Sequence, residues 1–203
     1  MKHLLQTKCI IIGNGEFDKI HPDYTADYVI GADVFTDGVN LIVGDFDTLN
    51  AEEVPDGIET VRFPSEKNES DLELAVEQAV KRGFNTFYIY GALGGRLDHT
   101  LASIAVLTSI AKRGMTGWLI GENEIVTAVT DGRITLNNRN CVLSIFPAGE
   151  SAEGVTLTGM KYPLDNAVIS NDNSLGLSNV VIGDNAAVEV KDGTLIVILS
   201  EIT

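Results

Sequence analysis

The chain is poor in cysteine, poor in positive charge and free of long hydrophobic runs, and each shortage excludes something. Its two cysteines, Cys9 and Cys141, each sit inside an apolar run. A lone pair does not make a disulfide framework, so buried reduced thiols are expected. Lysine and arginine number 14 against 29 aspartates and glutamates, a formal net charge of −15. That balance argues against general binding to nucleic acid or an anionic membrane. An anionic substrate remains open to such a chain if a divalent ion and a few basic residues act locally. No apolar stretch approaches the roughly 20 residues that span a bilayer. The first apolar run is too short and strand-like for a signal peptide; a soluble, cytoplasmic protein is expected. A third glycine is missing after Gly13-Asn14-Gly15, where Asp18 stands, so this is a turn or phosphate-loop glycine pair and not a dinucleotide fingerprint. No Cys or Ser stands in a nucleophile–base pattern, which favours direct group transfer over a covalent enzyme intermediate.

What is present is a globular composition over 203 residues, 44% hydrophobic and 21% charged, enough for one large domain or two small ones. Short β-branched runs at Lys8 to Ile12, Tyr28 to Gly31, Leu41 to Val43 and Glu59 to Phe63 read as strands. A helix is expected from Ser70 to about Arg82, with Ser70 and Glu73 as a capping box and Leu72, Ala75, Val76, Ala79 and Val80 inward. A strand at Thr86 to Tyr90 follows, then a helix from Arg96 to about Lys112 with Leu101, Ile104, Ala105, Leu107 and Thr108 packed, then a strand at Trp118 to Ile120. This alternation predicts an α/β fold with a mostly parallel, Rossmann-like sheet and flanking helices over residues 1–122. From Glu122 onward helical periodicity gives way to short strands and turns, and an all-β sandwich or barrel-like domain is expected over residues 123–203. Asp131-Gly132 and Asp192-Gly193 read there as hairpin signals.

Three clusters carry chemistry. In Leu41-Ile42-Val43-Gly44-Asp45-Phe46-Asp47-Thr48, an apolar strand runs into a glycine and two carboxylates at i and i+2. An extended strand end puts Asp45 and Asp47 on one side, and hard oxygen ligands of this kind suit Mg²⁺ with substrate phosphates. A polar turn after a buried strand would use the same residues. The second cluster is Ser65 to Asp71, where Asp71 has the simpler reading of a helix-dipole acid and Lys67 that of a solvated charge. The third is Gly91 to His99. Gly94 and Gly95 before a helix expose amide donors to a phosphate, and Arg96 can bind one bidentately; the simpler reading is a glycine-rich turn into a capped helix. Asp33, Asp45, Asp47 and this third cluster all fall at the carboxyl ends of expected strands, where such sheets bind ligands. His3 and His21 have no partner pattern.

With these motifs quoted, the chain resembles the bacterial thiamine pyrophosphokinases (thiamine diphosphokinases). The likeness rests on Gly44 to Thr48, on Lys67 to Asp71, on Gly94-Gly95-Arg96-Leu97-Asp98-His99, on Gly159-Met160-Lys161-Tyr162-Pro163-Leu164 and on Leu175-Gly176-Leu177-Ser178-Asn179. The resemblance implies a nucleotide-binding α/β domain, a thiamine-binding β-sandwich and a homodimer with sites at the subunit interface. The implied reaction moves a pyrophosphoryl group from ATP to the hydroxyl of thiamine, giving thiamine diphosphate and AMP. Carried over by position, Asp45, Asp47 and Asp71 are the implied Mg²⁺ ligands and phosphate-handling acids, and Arg96 and Asp98, at the nucleotide site, complete the implied catalytic set. Asp33, Lys67, Ser70, Gly94, Gly95, Arg96 and His99 are implied around the nucleotide, and Ser178 and Asn179 around thiamine. The chain departs from the family at Asp33-Val34-Phe35-Thr36, where Gly-Ala is usual, and at Asn68, where a second carboxylate is usual. Rival readings are an Asp-x-Asp phosphatase, in which the threonine is spaced one residue later than Thr48, and a thiamine- or nucleotide-binding regulator without turnover.

Overall fold

Cys9, Ile10, Ile11 and Ile12 are almost wholly buried, so this strand is covered on both faces, as strands of parallel sheets are. The structure is a computed structural model that describes residues 7–35, 37–47, 54–136 and 141–201; His3, Thr36 and Thr48 lie outside them. The elements are β1 (Lys8–Ile12), β2 (Val29–Ala32), β3 (Leu41–Gly44), β4 (Glu59–Arg62), α1 (Asp71–Lys81), β5 (Thr86–Tyr90), α2 (Leu97–Lys112) and β6 (Thr116–Ile120). There follow β7 (Glu124–Thr130), β8 (Arg133–Leu136), β9 (Cys141–Pro147), β10 (Ser151–Thr158), β11 (Leu164–Ser170), β12 (Asn179–Val180), β13 (Ala186–Glu189) and β14 (Thr194–Glu201). The chain divides into two compact units, residues 1–106 with 119–122, and residues 107–118 with 123–203.

In the first unit the strand order is β5-β1-β2-β3-β4, every pair parallel. All five carboxyl ends therefore share one rim, which is where the expected site residues fall. Helix α1 packs on β1, β2 and β3. Ser70 caps it, its Oγ accepting from the Glu73 N–H at 3.2 Å. The buried stripe is Leu74, Ala75, Val76, Gln78 and Ala79, while Leu72 and Val80, expected inward, are only half-buried. Leu72 stands in the first turn, where helical side chains lean back toward the helix start; Val80 lies at the edge of the stripe.

Helix α2 differs more from expectation. Ser103, Val106, Leu107, Ile110 and Ala111 are buried, whereas Leu101 is 58% exposed and Ala105 is also exposed. Its sequence is apolar nearly all round, so periodicity alone left the inward stripe undetermined.

The second unit contains two antiparallel sheets, β12-β9-β14-β7 and β11-β10-β13-β8. Leu143, Ile145, Leu195, Val197 and Leu199 of one join Val155, Leu157, Ala186 and Val188 of the other in one core. This is the expected sandwich. The two Asp-Gly turns, however, are not hairpins: β7 and β8 belong to different sheets, as do β13 and β14. At both turns the chain switches sheets, and the turns clasp each other. Asp131 N–H donates to Gly193 O at 3.1 Å, and Gly193 N–H donates to Asp131 Oδ1 at 2.9 Å.

Candidate active site

The rim is built from the ends of β2 and β3. Strand β2 runs into Asp33, a residue 4% exposed whose backbone N–H donates to Val43 O at 2.8 Å. Strand β3 ends at Gly44, and a methyl added there would lie 2.6 Å from Asp33 Oδ1; only glycine lets the two strand ends approach this closely. Phe46 then takes the left-handed conformation, φ +61°, and its N–H donates to Asp33 Oδ1 at 2.9 Å. Asp47 N–H donates to Asp45 Oδ1 at 3.1 Å. Asp45 and Asp47 are thus brought together by a tight turn, not by the strand alternation expected from their spacing. One carboxylate oxygen each from Asp33, Asp45 and Asp47 lies within 4.8 Å of the others.

Asp71, at the start of α1, lies outside that trio and is tied to it through Lys67. Lys67 Nζ is 2.6 Å from Asp71 Oδ1 and 3.7 Å from Asp45 Oδ2. Burial acts to lower the Lys67 pKa, but the hydrogen bond and charge of Asp71 and the charges of Asp45 and Asp33 outweigh it and hold it above the usual lysine value. The Asp45 carboxyl is held below the ordinary range, first by the Asp47 N–H and then by Lys67 and other hydrogen bonds, against desolvation. Both groups are therefore charged around neutrality.

Sequence reasoning missed Arg62, at the carboxyl end of β4. Its Nε donates to Asp45 O at 3.2 Å, and its guanidinium lies 5.1 Å from the centre of the Phe46 ring. It fastens the turn from both sides. A charged residue closing the strand that follows the acidic motif in the chain was the available signal; in the sheet it stands opposite Gly44.

After β5 comes the glycine loop. Gly94 and Gly95 have φ of +79° and +62° and nothing within 4 Å of an added methyl, so their backbone faces open space. Arg96 is paired with Asp98 through Nη2 to Oδ2 at 2.5 Å and Nε to Oδ1 at 3.1 Å. That bond is the main cause lowering the Asp98 pKa, and His99 N–H also donates to Asp98 Oδ1 at 3.0 Å. The Gly13–Gly15 pair finds its use here. Gly13 N–H donates to Tyr90 O at 2.8 Å and Gly15 N–H to Gly91 O at 2.9 Å, which brings the loop after β1 against the loop after β5.

In the second unit, Ser178 is exposed, has φ +55°, and donates from its N–H to Ser144 Oγ at 3.1 Å. Asn179 is 4% exposed. Its Nδ2 donates to Tyr162 O at 2.6 Å, and its Oδ1 accepts from the N–H groups of Tyr162 at 3.0 Å and Val180 at 2.9 Å. The Asn179 amide fixes the Lys161–Tyr162 segment beside Ser178.

Comparisons with known proteins bear on the family of the chain. Residues 24–119 match the family described as thiamin pyrophosphokinase, catalytic domain, and residues 133–195 that described as thiamin pyrophosphokinase, vitamin B1 binding domain. The chain is 30% identical to the thiamine pyrophosphokinase of Bacillus subtilis (strain 168) over 163 residues, 77% of this chain and 76% of that one. It is similar to the crystal structure of thiamine pyrophosphokinase from Bacillus subtilis, with a TM-score of 0.84 at 25% identity over 97% of this chain and 100% of that one. It is likewise similar to the structure of thiamin pyrophosphokinase from Geobacillus thermodenitrificans, with a TM-score of 0.81 at 28% identity over 97% and 99% of the two chains. By sequence, by the matched segments and by fold, the chain belongs to the thiamine pyrophosphokinase family.

Proposed function

We propose that this protein transfers a pyrophosphoryl group from ATP to the hydroxyl of thiamine, giving thiamine diphosphate and AMP. Family membership supports the reaction, and the observation that carries it to this chain is the meeting of Asp33, Asp45 and Asp47 within 4.8 Å at the sheet rim. Phosphoryl transfer needs charge neutralised on the phosphates and an aligned nucleophile, with little covalent help from protein. The donor set is all carboxylate oxygen, which fits Mg²⁺. Asp45 and Asp47, with Asp33 beside them, would hold it, and when bound it supplies neutralisation of the phosphate charge. Asp71 would serve through Lys67 or directly.

The chain's own residues do the rest. The open backbone of Gly94 and Gly95 offers amide donors to a phosphate, and Arg96 offers a second positive charge to the nucleotide once it exchanges Asp98 for substrate. His99, whose N–H donates to Asp98, and Ser70, the cap of α1, are read as further nucleotide-site residues on the family resemblance. Asp71 or Asp98 would accept the thiamine hydroxyl proton. In the second unit, Ser178 is the thiamine-contacting residue, and Asn179 places it and Tyr162. The matched segments support a nucleotide role for residues 1–122 and a thiamine role for residues 123–203.

We further read the protein as a cytoplasmic homodimer whose sites lie at the subunit interface. The family resemblance supports this, and sedimentation of the pure protein tests it. Among the described residues no helix is long and apolar enough to cross a membrane.

The experiment is product identification with Mg-ATP and thiamine. AMP and thiamine diphosphate are expected. ADP would indicate an ordinary kinase, phosphate released without thiamine a phosphatase, and thermal protection by thiamine without turnover a regulator.

A further inference from the structure

The acidic rim already contains a cation belonging to the chain. Lys67 stands in the segment between β4 and α1, and its ammonium reaches both Asp71, at 2.6 Å, and Asp45, at 3.7 Å. Neither charge is freely solvated: the Lys67 side chain is 12% exposed and that of Asp45 10%. Asp45 is also one of the three acids that converge within 4.8 Å. A divalent ion and the Lys67 ammonium therefore compete for the same carboxylate, and in a partly desolvated site like charges so close repel strongly. Asp71 lies outside the trio, so the lysine can release Asp45 and stay tethered to Asp71.

Resting on the Mg²⁺-dependent reading above, we propose that Lys67 is a place-holding cation. Before metal binds, it neutralises Asp45 and Asp71 and keeps the repelling carboxylates together. When a divalent ion takes Asp45, the lysine swings from that carboxylate to the polyphosphate that arrives with the metal. One side chain thus has opposite effects on two ligands: it opposes the metal alone and favours the nucleotide. No covalent bond is made or broken in this exchange; one ion pair is given up for another.

The test uses the full chain with Mn²⁺ as the probe, titrated without nucleotide and followed by electron paramagnetic resonance, and separately the KM for Mg-ATP. Lys67→Met and Lys67→Gln remove the charge in two shapes, Lys67→Arg retains it, and Asp45→Asn is the control for the metal site. Both neutral variants should bind Mn²⁺ about tenfold more tightly, the effect of deleting a nearby like charge in a partly screened site, while KM for Mg-ATP rises. Lys67→Arg should restore Mn²⁺ affinity toward the parent value. A lysine that merely braces the loop would weaken both ligands together. Unchanged or weaker Mn²⁺ binding in both neutral variants, with Asp45→Asn abolishing it, overturns the place-holder alone. Mn²⁺ binding unaffected by Asp45→Asn overturns the metal reading and the place-holder with it.

Discussion

The Phe46 backbone N–H donates to Asp33 Oδ1 at 2.9 Å, so the side chain at the end of β2 shapes the turn at the end of β3. Asp33 is itself strained into the left-handed region, φ +53°, and nearly fully buried. Non-glycine residues persist there only when their surroundings hold them, as Val43, Gly44 and Phe46 do here.

That relationship gives the first prediction. Asp33→Asn keeps an acceptor for Phe46 and should cost under about 1 kcal/mol, whereas Asp33→Ala leaves the part-buried Phe46 N–H without this acceptor and should cost about 1–3 kcal/mol. Both should weaken Mn²⁺ binding, since both delete the charge. Urea denaturation and metal titration separate the two effects.

Gly44→Ala should act first through Asp33. The new methyl would lie 2.6 Å from Oδ1 and 2.8 Å from Cβ of Asp33, so the acid must move. A loss of about 1–3 kcal/mol in stability is expected from such overpacking, with at least a tenfold fall in kcat/KM because the displaced residue belongs to the rim. Undiminished turnover would show that Asp33 can move without consequence.

In the second unit, Ser178→Ala should raise KM for thiamine with kcat and stability little changed. Asn179→Ala should raise it too, but at a stability cost of about 1–3 kcal/mol, because the Tyr162 and Val180 backbone groups lose the three part-buried hydrogen bonds that the Asn179 amide makes. Steady-state kinetics beside a urea curve distinguishes contact from placement.

Burial pushes the Cys9 thiol up to about 12 from its ordinary 9.0. The sign follows from which state ionises. Between those values the unfolded chain loses the proton and the folded chain keeps it, so the unfolded state gains and stability falls as pH rises, by up to about 1.4 kcal/mol per pH unit from this group. Below 9 this effect is absent. Cys9→Ala should flatten the alkaline limb of stability against pH, and Cys9 in the native protein should resist alkylation at pH 8 while the unfolded chain reacts.

Leu107 is 0% exposed, and Leu107→Ala should cost about 2–5 kcal/mol. Ala105→Ser, on the exposed side of the same helix, should cost under about 0.5 kcal/mol. Comparable losses at both positions would mean that Ala105 is covered in solution.

Much of this was legible in the order of residues. The β-branched runs broken by helical stretches, then the unbroken alternation of short strands, state two architectures because period and length of apolar patterning are local properties. Gly44-Asp45-Phe46-Asp47 and Gly94-Gly95-Arg96 marked the candidate site, since charge and glycine after a buried strand are hard to explain by packing alone. The burial of Cys9 and Cys141 also followed from their apolar neighbours. What only the tertiary structure decided is which of these pieces meet. Asp33 joins Asp45 and Asp47 because β2 lies beside β3 in the same direction, whereas Asp71 is held off behind Lys67. The inward stripe of α2 and the clasp of the two Asp-Gly turns depend on partners distant in the chain. Strand order and helix rotation are settled by the packing of the whole core, and no local pattern encodes them.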